Sequence, residues 1–169
     1  STKTAGHSRI QTYNPSVFAL GMPYTFQYAY TLRVFKMVKE INPNMLTVIG
    51  GAHTSVLDKK CFEDSEHIDI VVRGEGEETM LELLGSHLQK KSLEQIEGLT
   101  LKINGEIAKT KRRAFIDMPT ASKVNFKLLP KKFYEGKSIN ISPNRGCEWT
   151  CRFCEEQIFW GNSVRSMPV

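Results

Sequence analysis

The sequence predicts an α/β protein built on a parallel sheet, and three observations carry that prediction. The runs VFALG (17–21), LTVIG (46–50) and IDIVV (68–72) are almost wholly apolar and lack the polar alternation of a half-exposed strand. The stretches that follow them carry apolar residues at helical spacing. Each run also ends at or near glycine, at Gly21, at Gly50-Gly51 and at Gly74 with Gly76. Strand and helix alternating three times is the pattern of a parallel sheet covered on both sides.

The elements follow in order. The opening STKTAGHSRIQTYNPS is polar and lacks a signal peptide's apolar core. A strand comes almost at once, so a lead-in lost from the N-terminus is expected. In FQYAYTLRVFKMVKEI, Tyr30, Val34, Met37, Val38 and Ile41 recur on one helical face, and Asn42-Pro43 ends the helix. A shorter helix is expected over 55–64. In GEETMLELLGSHLQK, Met80, Leu81, Leu84 and Leu88 share a face, with Glu77 and Glu78 in the favourable first turn. Leu99, Leu101 and Ile103 then alternate ahead of Asn104-Gly105, a strong two-residue hairpin signal. The stretch AFIDMPTASKVNFKLLPKKFYEGK has no sustained period and reads as an extended connector. Finally SINISPNRGC alternates Ile139 and Ile141 like a strand. The expected division is an α/β domain over 1–93, hairpin and connector over 94–136, and the start of a further domain over 137–169.

Composition narrows the function classes. The 169 residues are 40% hydrophobic and 24% charged, and no apolar run approaches the roughly 20 residues that span a bilayer. No membrane partner is expected. The net charge of +5 is mild, and its densest patch is KTKRR, with Lys109, Lys111, Arg112 and Arg113. No aromatic platform is interleaved there, so a solvated linker outweighs an RNA contact. The composition points to a cytoplasmic protein, in which clustered cysteines mean metal or catalysis rather than disulfides. Cys61 lies apart from the other cysteines and reads as a packing residue.

Ligands of open parallel sheets bind beyond the carboxyl ends of the strands. Three stretches fall there: MPYTF, with Met22, Pro23, Tyr24 and Thr25; GGAHTS, with Gly50, Gly51, His53 and Thr54; and GEGEET, with Gly74, Glu75, Gly76 and Glu77. Paired glycines let a backbone approach a large ligand; the lesser alternative is that they are only helix-entry turns. His53, directly after two glycines, is a candidate ligand contact. Dinucleotide binding fits poorly, because Thr79 replaces the third glycine of the fingerprint and Glu75 and Glu77 would face a pyrophosphate.

Cys147, Cys151 and Cys154 lie within eight positions in NRGCEWTCRFCEEQ. Thiolates select iron–sulfur clusters, zinc or Cu(I). A [4Fe–4S] cluster ordinarily takes four cysteines, so three leave one iron open to a substrate or cofactor. A redox dithiol in WTCRFC would leave Cys147 unexplained. A structural zinc site would need Glu155 or Glu156 as a fourth ligand. Phe153 is placed to shield a cluster from water.

These residues resemble the radical S-adenosylmethionine (SAM) superfamily, whose motif C-x3-C-x-Φ-C is matched by Cys147, Cys151, Phe153 and Cys154. RSMPV is similar to that family's continuation toward its first helix. Upstream, VIGGAHTS and IDIVVRGEGEETMLELL resemble the cobalamin (B12)-binding domain that precedes the barrel in one radical SAM subgroup. The resemblance implies a truncated flavodoxin/Rossmann-like sheet of B12-binding type, a β-hairpin linker, and the first strand and cluster loop of a (β/α)6 partial barrel. It implies three cofactors: a [4Fe–4S] cluster on the three cysteines, SAM on the open iron, and cobalamin against MPYTF, GGAHTS and the GEGE loop. The implied activity is that of a methyltransferase acting at an unactivated centre, with a small-molecule substrate rather than tRNA and an electron donor such as flavodoxin or ferredoxin. The D-x-H-x-x-G motif of other B12 proteins is absent, and the strands that would hold SAM are expected beyond Val169. The chain as given is therefore expected not to cleave SAM. The alternative is a non-catalytic ligand-binding module with a structural zinc site.

Overall fold

β1 (Val17–Gly21), β2 (Leu46–Gly50) and β3 (Ile70–Val72) form the parallel part of a five-stranded sheet of order β1-β2-β3-β4-β5. The computed structural model describes residues 2–22, 25–121, 125–138 and 142–168, with the backbone alone for residues 2–5 and Phe126. β1 pairs with β2 from Val17 opposite Leu46 to Gly21 opposite Gly50, and β2 pairs with β3 from Val48 opposite Ile70. The first two strands match their expected spans. The third begins at Ile70 rather than at residue 68. At its entry the Asp69 carboxylate accepts the Thr47 amide and hydroxyl at 2.8 Å each and the Lys39 ammonium at 2.6 Å, so side-chain bonding takes over there.

Alternate residues of the strands feed two separate cores, as a pleated strand requires. Ile49 and Val71 join Met22, Phe35, Cys61, Phe62 and Ile68 in one. Val48, Ile70 and Val72 join Leu83, Ile96, Leu99 and Leu101 in the other. Burial on both faces explains the continuous apolar runs, each large side chain contributing about 1.5–3 kcal/mol.

The helices differ from expectation in phase and in number. α2 (Tyr28–Ile41) buries Thr31, Phe35 and Val38, whereas Tyr30 is 67% exposed. Its apolar residues spread over more than one face, and packing against the sheet selects the strip through Phe35. α5 (Glu77–Leu88) buries Thr79 and Leu83 and leaves Leu81 and Leu88 each 75% exposed. The Thr79 hydroxyl donates to the Glu97 carbonyl at 3.3 Å and accepts Arg113 Nε at 2.8 Å, which turns the threonine inward at the expense of the leucine stripe. The helix expected over 55–64 is two, α3 (Ala52–Val56) and α4 (Asp58–Asp64), with Leu57 between them. α1 (Thr2–Tyr13) was not expected, because its polar sequence has no apolar stripe to announce a helix.

β4 (Leu99–Ile103) and β5 (Glu106–Lys109) form the expected hairpin, with Asn104 and Gly105 at φ +52° and +88°. Two positive φ values are what a type I′ turn needs. The hairpin is more than a linker, however. β4 pairs antiparallel with β3, Val72 opposite Leu99, so the hairpin completes the sheet and belongs to the compact unit Ser1–Ala114. The basic run is likewise built into this unit. Lys109 pairs with Asp58, Lys111 with Glu97, and Arg113 with Glu78 and Glu82.

Phe115–Val169 forms a second compact unit. Its first part is irregular, as the connector reading expects, with short 3-10 turns at Met118–Thr120, Phe126–Leu128 and Lys131–Phe133. The strand expected around Ile139 and Ile141 lies outside the described residues. β6 (Asn144–Arg145) pairs antiparallel with β7 (Arg165–Ser166), and α6 (Glu156–Trp160) lies between them in sequence. Among the described residues no helix is long and apolar enough to cross a membrane.

Candidate functional site

The loops after β1, β2 and β3 meet at the carboxyl edge of the sheet, and three cross-links brace them. The Met22 amide donates to the Gly50 carbonyl at 2.7 Å. Thr25 Oγ1 lies 2.8 Å from His53 Nδ1, in hydrogen-bond contact. The Gly74 amide donates to Ser55 Oγ at 2.9 Å, and that hydroxyl donates to the Gly51 carbonyl at 2.7 Å. The predicted stretches are thus brought together, apart from Pro23 and Tyr24, which lie outside the described residues.

Individual residues fill different roles from those their types suggested. Gly51 has φ +115°, and a Cβ there would stand 2.4 Å from the Met22 carbonyl oxygen. The close approach it permits is made by the protein's own backbone. Met22 is fully buried, with its side chain in the core. Gly74, at φ +73°, has nothing within 4 Å of an added Cβ, so its backbone is open to an approaching molecule. His53 is only 6% exposed and its ring centroid lies 5.1 Å from that of Tyr28. Thr54 is fully buried and donates to the Gly51 carbonyl at 3.3 Å. Glu75 is buried, Gly76 caps α5, and Glu77 is exposed in the first turn.

Three residues at this edge were not among the expected site residues: Ser55, Arg73 and Asp58. Arg73 continues from β3 into the GEGE loop. Its amide donates to the Gly98 carbonyl at 2.7 Å, and its guanidinium donates to the carbonyls of Leu99 at 2.9 Å and Thr110 at 2.6 Å. Asp58, 2% exposed, accepts Thr100 Oγ1 at 2.6 Å and Lys109 Nζ at 2.7 Å. Burial pushes its carboxyl up, but the bonds from Lys109, Thr100 and the Lys59 amide outweigh this and hold it below the usual carboxylate range. Arg73 Nε stands 3.7 Å from the same carboxylate. The only advance hint was an arginine at the end of a buried strand. Cys61 is a packing residue, fully buried with its thiol pushed up to about 11, mainly by burial.

The cysteine loop is closed at its neck. β6 and β7 pair there, and the Met167 amide donates to the Pro143 carbonyl at 2.8 Å. Gly146, at φ +99°, lets the strands close, since a Cβ there would fall 1.9 Å from the Ser163 carbonyl oxygen. The Arg165 guanidinium lies 4.4 Å from the Phe115 ring centroid and donates to the Ile116 carbonyl at 2.9 Å. Within the loop, the Cys154 amide and Gln157 Nε2 both donate to the Cys151 carbonyl at 3.1 Å. Cys147 and Cys154 are half-buried and Cys151 is exposed. Among the described residues no three His, Cys, Asp or Glu side chains are grouped so as to hold a metal ion. The donor chemistry suits a thiophilic centre, but the thiols do not converge in this conformation. Phe153 is 93% exposed.

Comparison with known proteins follows the same division. The B12 binding domain family matches residues 7–84, which include all three edge loops. An uncharacterised methyltransferase of Pyrococcus horikoshii is 31% identical over 168 residues, covering 95% of this chain and 36% of the relative. The anaerobic magnesium-protoporphyrin IX monomethyl ester cyclase of Cereibacter sphaeroides is 32% identical, over 74% of this chain and 22% of its own length. The cobalamin-dependent radical SAM methyltransferase TokK of Streptomyces tokunonensis is 29% identical, over 90% and 23% respectively. Among solved structures, the radical SAM methyltransferase TsrM from Kitasatospora setae superposes with a TM-score of 0.74 at 14% identity, over 99% of this chain and 35% of TsrM. The cobalamin-dependent radical enzyme OxsB superposes with the same TM-score at 15% identity, over 95% of this chain and 22% of OxsB. The chain therefore spans between about a fifth and about a third of the length of these relatives. Residues 7–84, with the sheet and its three edge loops, therefore match the B12 binding domain family, and the chain is similar over most of its length to relatives that include a cobalamin-dependent radical SAM methyltransferase.

Proposed function

We propose that the chain binds cobalamin at the carboxyl edge of its sheet and a [4Fe–4S] cluster through Cys147, Cys151 and Cys154, as part of a SAM-dependent methyltransferase. The observation that carries the reading is the convergence of the three edge loops within the B12-binding match. Gly74 leaves room for a large ligand against the main chain, while the Gly51–Met22 contact and the Thr25–His53 bond hold the other two loops rigid. When bound, cobalamin supplies a methyl carrier and the cluster supplies the electron that cleaves SAM. The three thiols hold the cluster, and the closed neck keeps both ends of their loop together. A small-molecule acceptor is favoured over tRNA, because Lys109, Lys111 and Arg113 are committed to carboxylates of their own unit. Hopanoid and carbapenam methylating relatives point the same way. A low-potential donor such as flavodoxin or ferredoxin and a reducing, cytoplasmic setting complete the proposal.

Two measurements test it. Titration with aquacobalamin should shift the corrin absorption bands, and a folded chain that gives no shift sinks the cobalamin assignment. Anaerobic reconstitution with iron and sulfide should load about four irons per chain, lost on Cys151→Ala. A single tightly held zinc would instead establish the structural-zinc alternative.

A further inference from the structure

We infer that Ser55, which contacts no ligand in this reading, is the positioning residue that sets the gap between the two glycine loops and so tunes corrin affinity. The inference rests on the cobalamin reading above. Its basis is the orientation of one hydroxyl. Ser55 Oγ donates its proton to the Gly51 carbonyl at 2.7 Å and accepts the Gly74 amide at 2.9 Å. A serine hydroxyl has one proton to give, and here it is spent inside the protein. The group is therefore a strut between loops rather than a contact for a ligand.

The two ends of the strut differ in stiffness, which makes it consequential. At one end Gly51 is pressed against the Met22 backbone, and its carbonyl is also the acceptor for the Ser55 amide at 3.0 Å and the Thr54 hydroxyl at 3.3 Å. That end cannot move without disturbing the core. At the other end Gly74 has a left-handed φ and open space where a Cβ would lie. Arg73 is fastened to Gly98, Leu99 and Thr110, so the chain is fixed up to the residue before Gly74. The Ser55 hydroxyl extends that fixation to Gly74 itself. Removing it frees the loop at the point where the backbone is open, and a bound ligand must then restore the lost order.

The test uses the chain with Ser55→Ala and with Ser55→Thr, which keeps the hydroxyl. Hydrogen exchange at the Gly74 amide reads the strut without any ligand, and aquacobalamin titration reads its consequence. For Ser55→Ala the expected result is faster exchange at Gly74 and about tenfold weaker cobalamin binding, with both largely restored in Ser55→Thr. Unchanged Gly74 protection in Ser55→Ala overturns the proposal, as does unchanged affinity despite lost protection. A threonine variant as weak as the alanine one also overturns it, because the hydroxyl would then not be what matters. If the unaltered chain binds no cobalamin while its Gly74 amide is protected in a Ser55-dependent way, the cobalamin reading has failed and takes the positioning role with it.

Discussion

The carboxyl edge of the sheet and the cysteine loop are both built on a glycine that tolerates no side chain, yet they stand at different stages of readiness. At the edge, Gly51 against Met22 locks two loops whose polar groups are already paired. In the cysteine loop, Gly146 against Ser163 closes only the neck, and the three thiols inside it do not gather. The difference is one of driving force. The edge is organised by burial and hydrogen bonds that the chain supplies itself. A thiolate centre gains its organisation from the ion, because binding energy at such sites is also ordering energy.

The largest expected effect tests the edge. Gly51→Ala should lower unfolding stability by about 4 kcal/mol in chemical denaturation, from a backbone clash added to a left-handed φ. Gly74→Ala has the unfavourable φ without the clash and should cost only about 1 kcal/mol. Equal costs would break the distinction between a packed and an open glycine.

Asp58→Ala comes next, at about 3 kcal/mol, since it leaves Lys109 and the Thr100 hydroxyl without their acceptor. This one carries a pH signature. The folded-state carboxyl is held below its ordinary value, so the stability it contributes is fully present above about pH 4 and is lost as the pH falls through the depressed value. The gap between the unaltered chain and Asp58→Asn should therefore narrow in acid titration. A gap that widens in acid would refute the assigned direction.

Thiol labelling sharpens the comparison directly. At pH 8 the native chain should take up an alkylating reagent at Cys147, Cys151 and Cys154, while Cys61 stays unmodified until unfolding. Mass spectrometry counts the adducts, and early labelling of Cys61 would contradict its burial. The smallest effect is at Leu81→Ala, within about 0.5 kcal/mol because the side chain is 75% exposed, against about 2–5 kcal/mol for Leu83→Ala two positions on.

Legibility followed how local the determining interaction is. β1 and β2 were readable at both ends because their apolar side chains feed both cores, deeply buried in β2 and partly buried in the edge strand β1. The hairpin turn was readable because Asn104-Gly105 favours positive φ by its own chemistry. Helix phase was not, since Leu81, Leu84 and Leu88 have the same periodicity as the face that is actually buried. Nor was α1, which has no periodicity to show.

Sequence alone therefore determined the parallel core, the turn and the identity of the candidate loops, all of which depend on composition and spacing within a few residues. Tertiary structure decided that the hairpin joins the sheet through β3, that Gly51 faces Met22 rather than open space, and that Ser55 ties Gly51 to Gly74. Each of these joins residues distant in sequence through a backbone group. Every residue presents nearly the same amide and carbonyl, so the one-letter code carries no mark of which will meet.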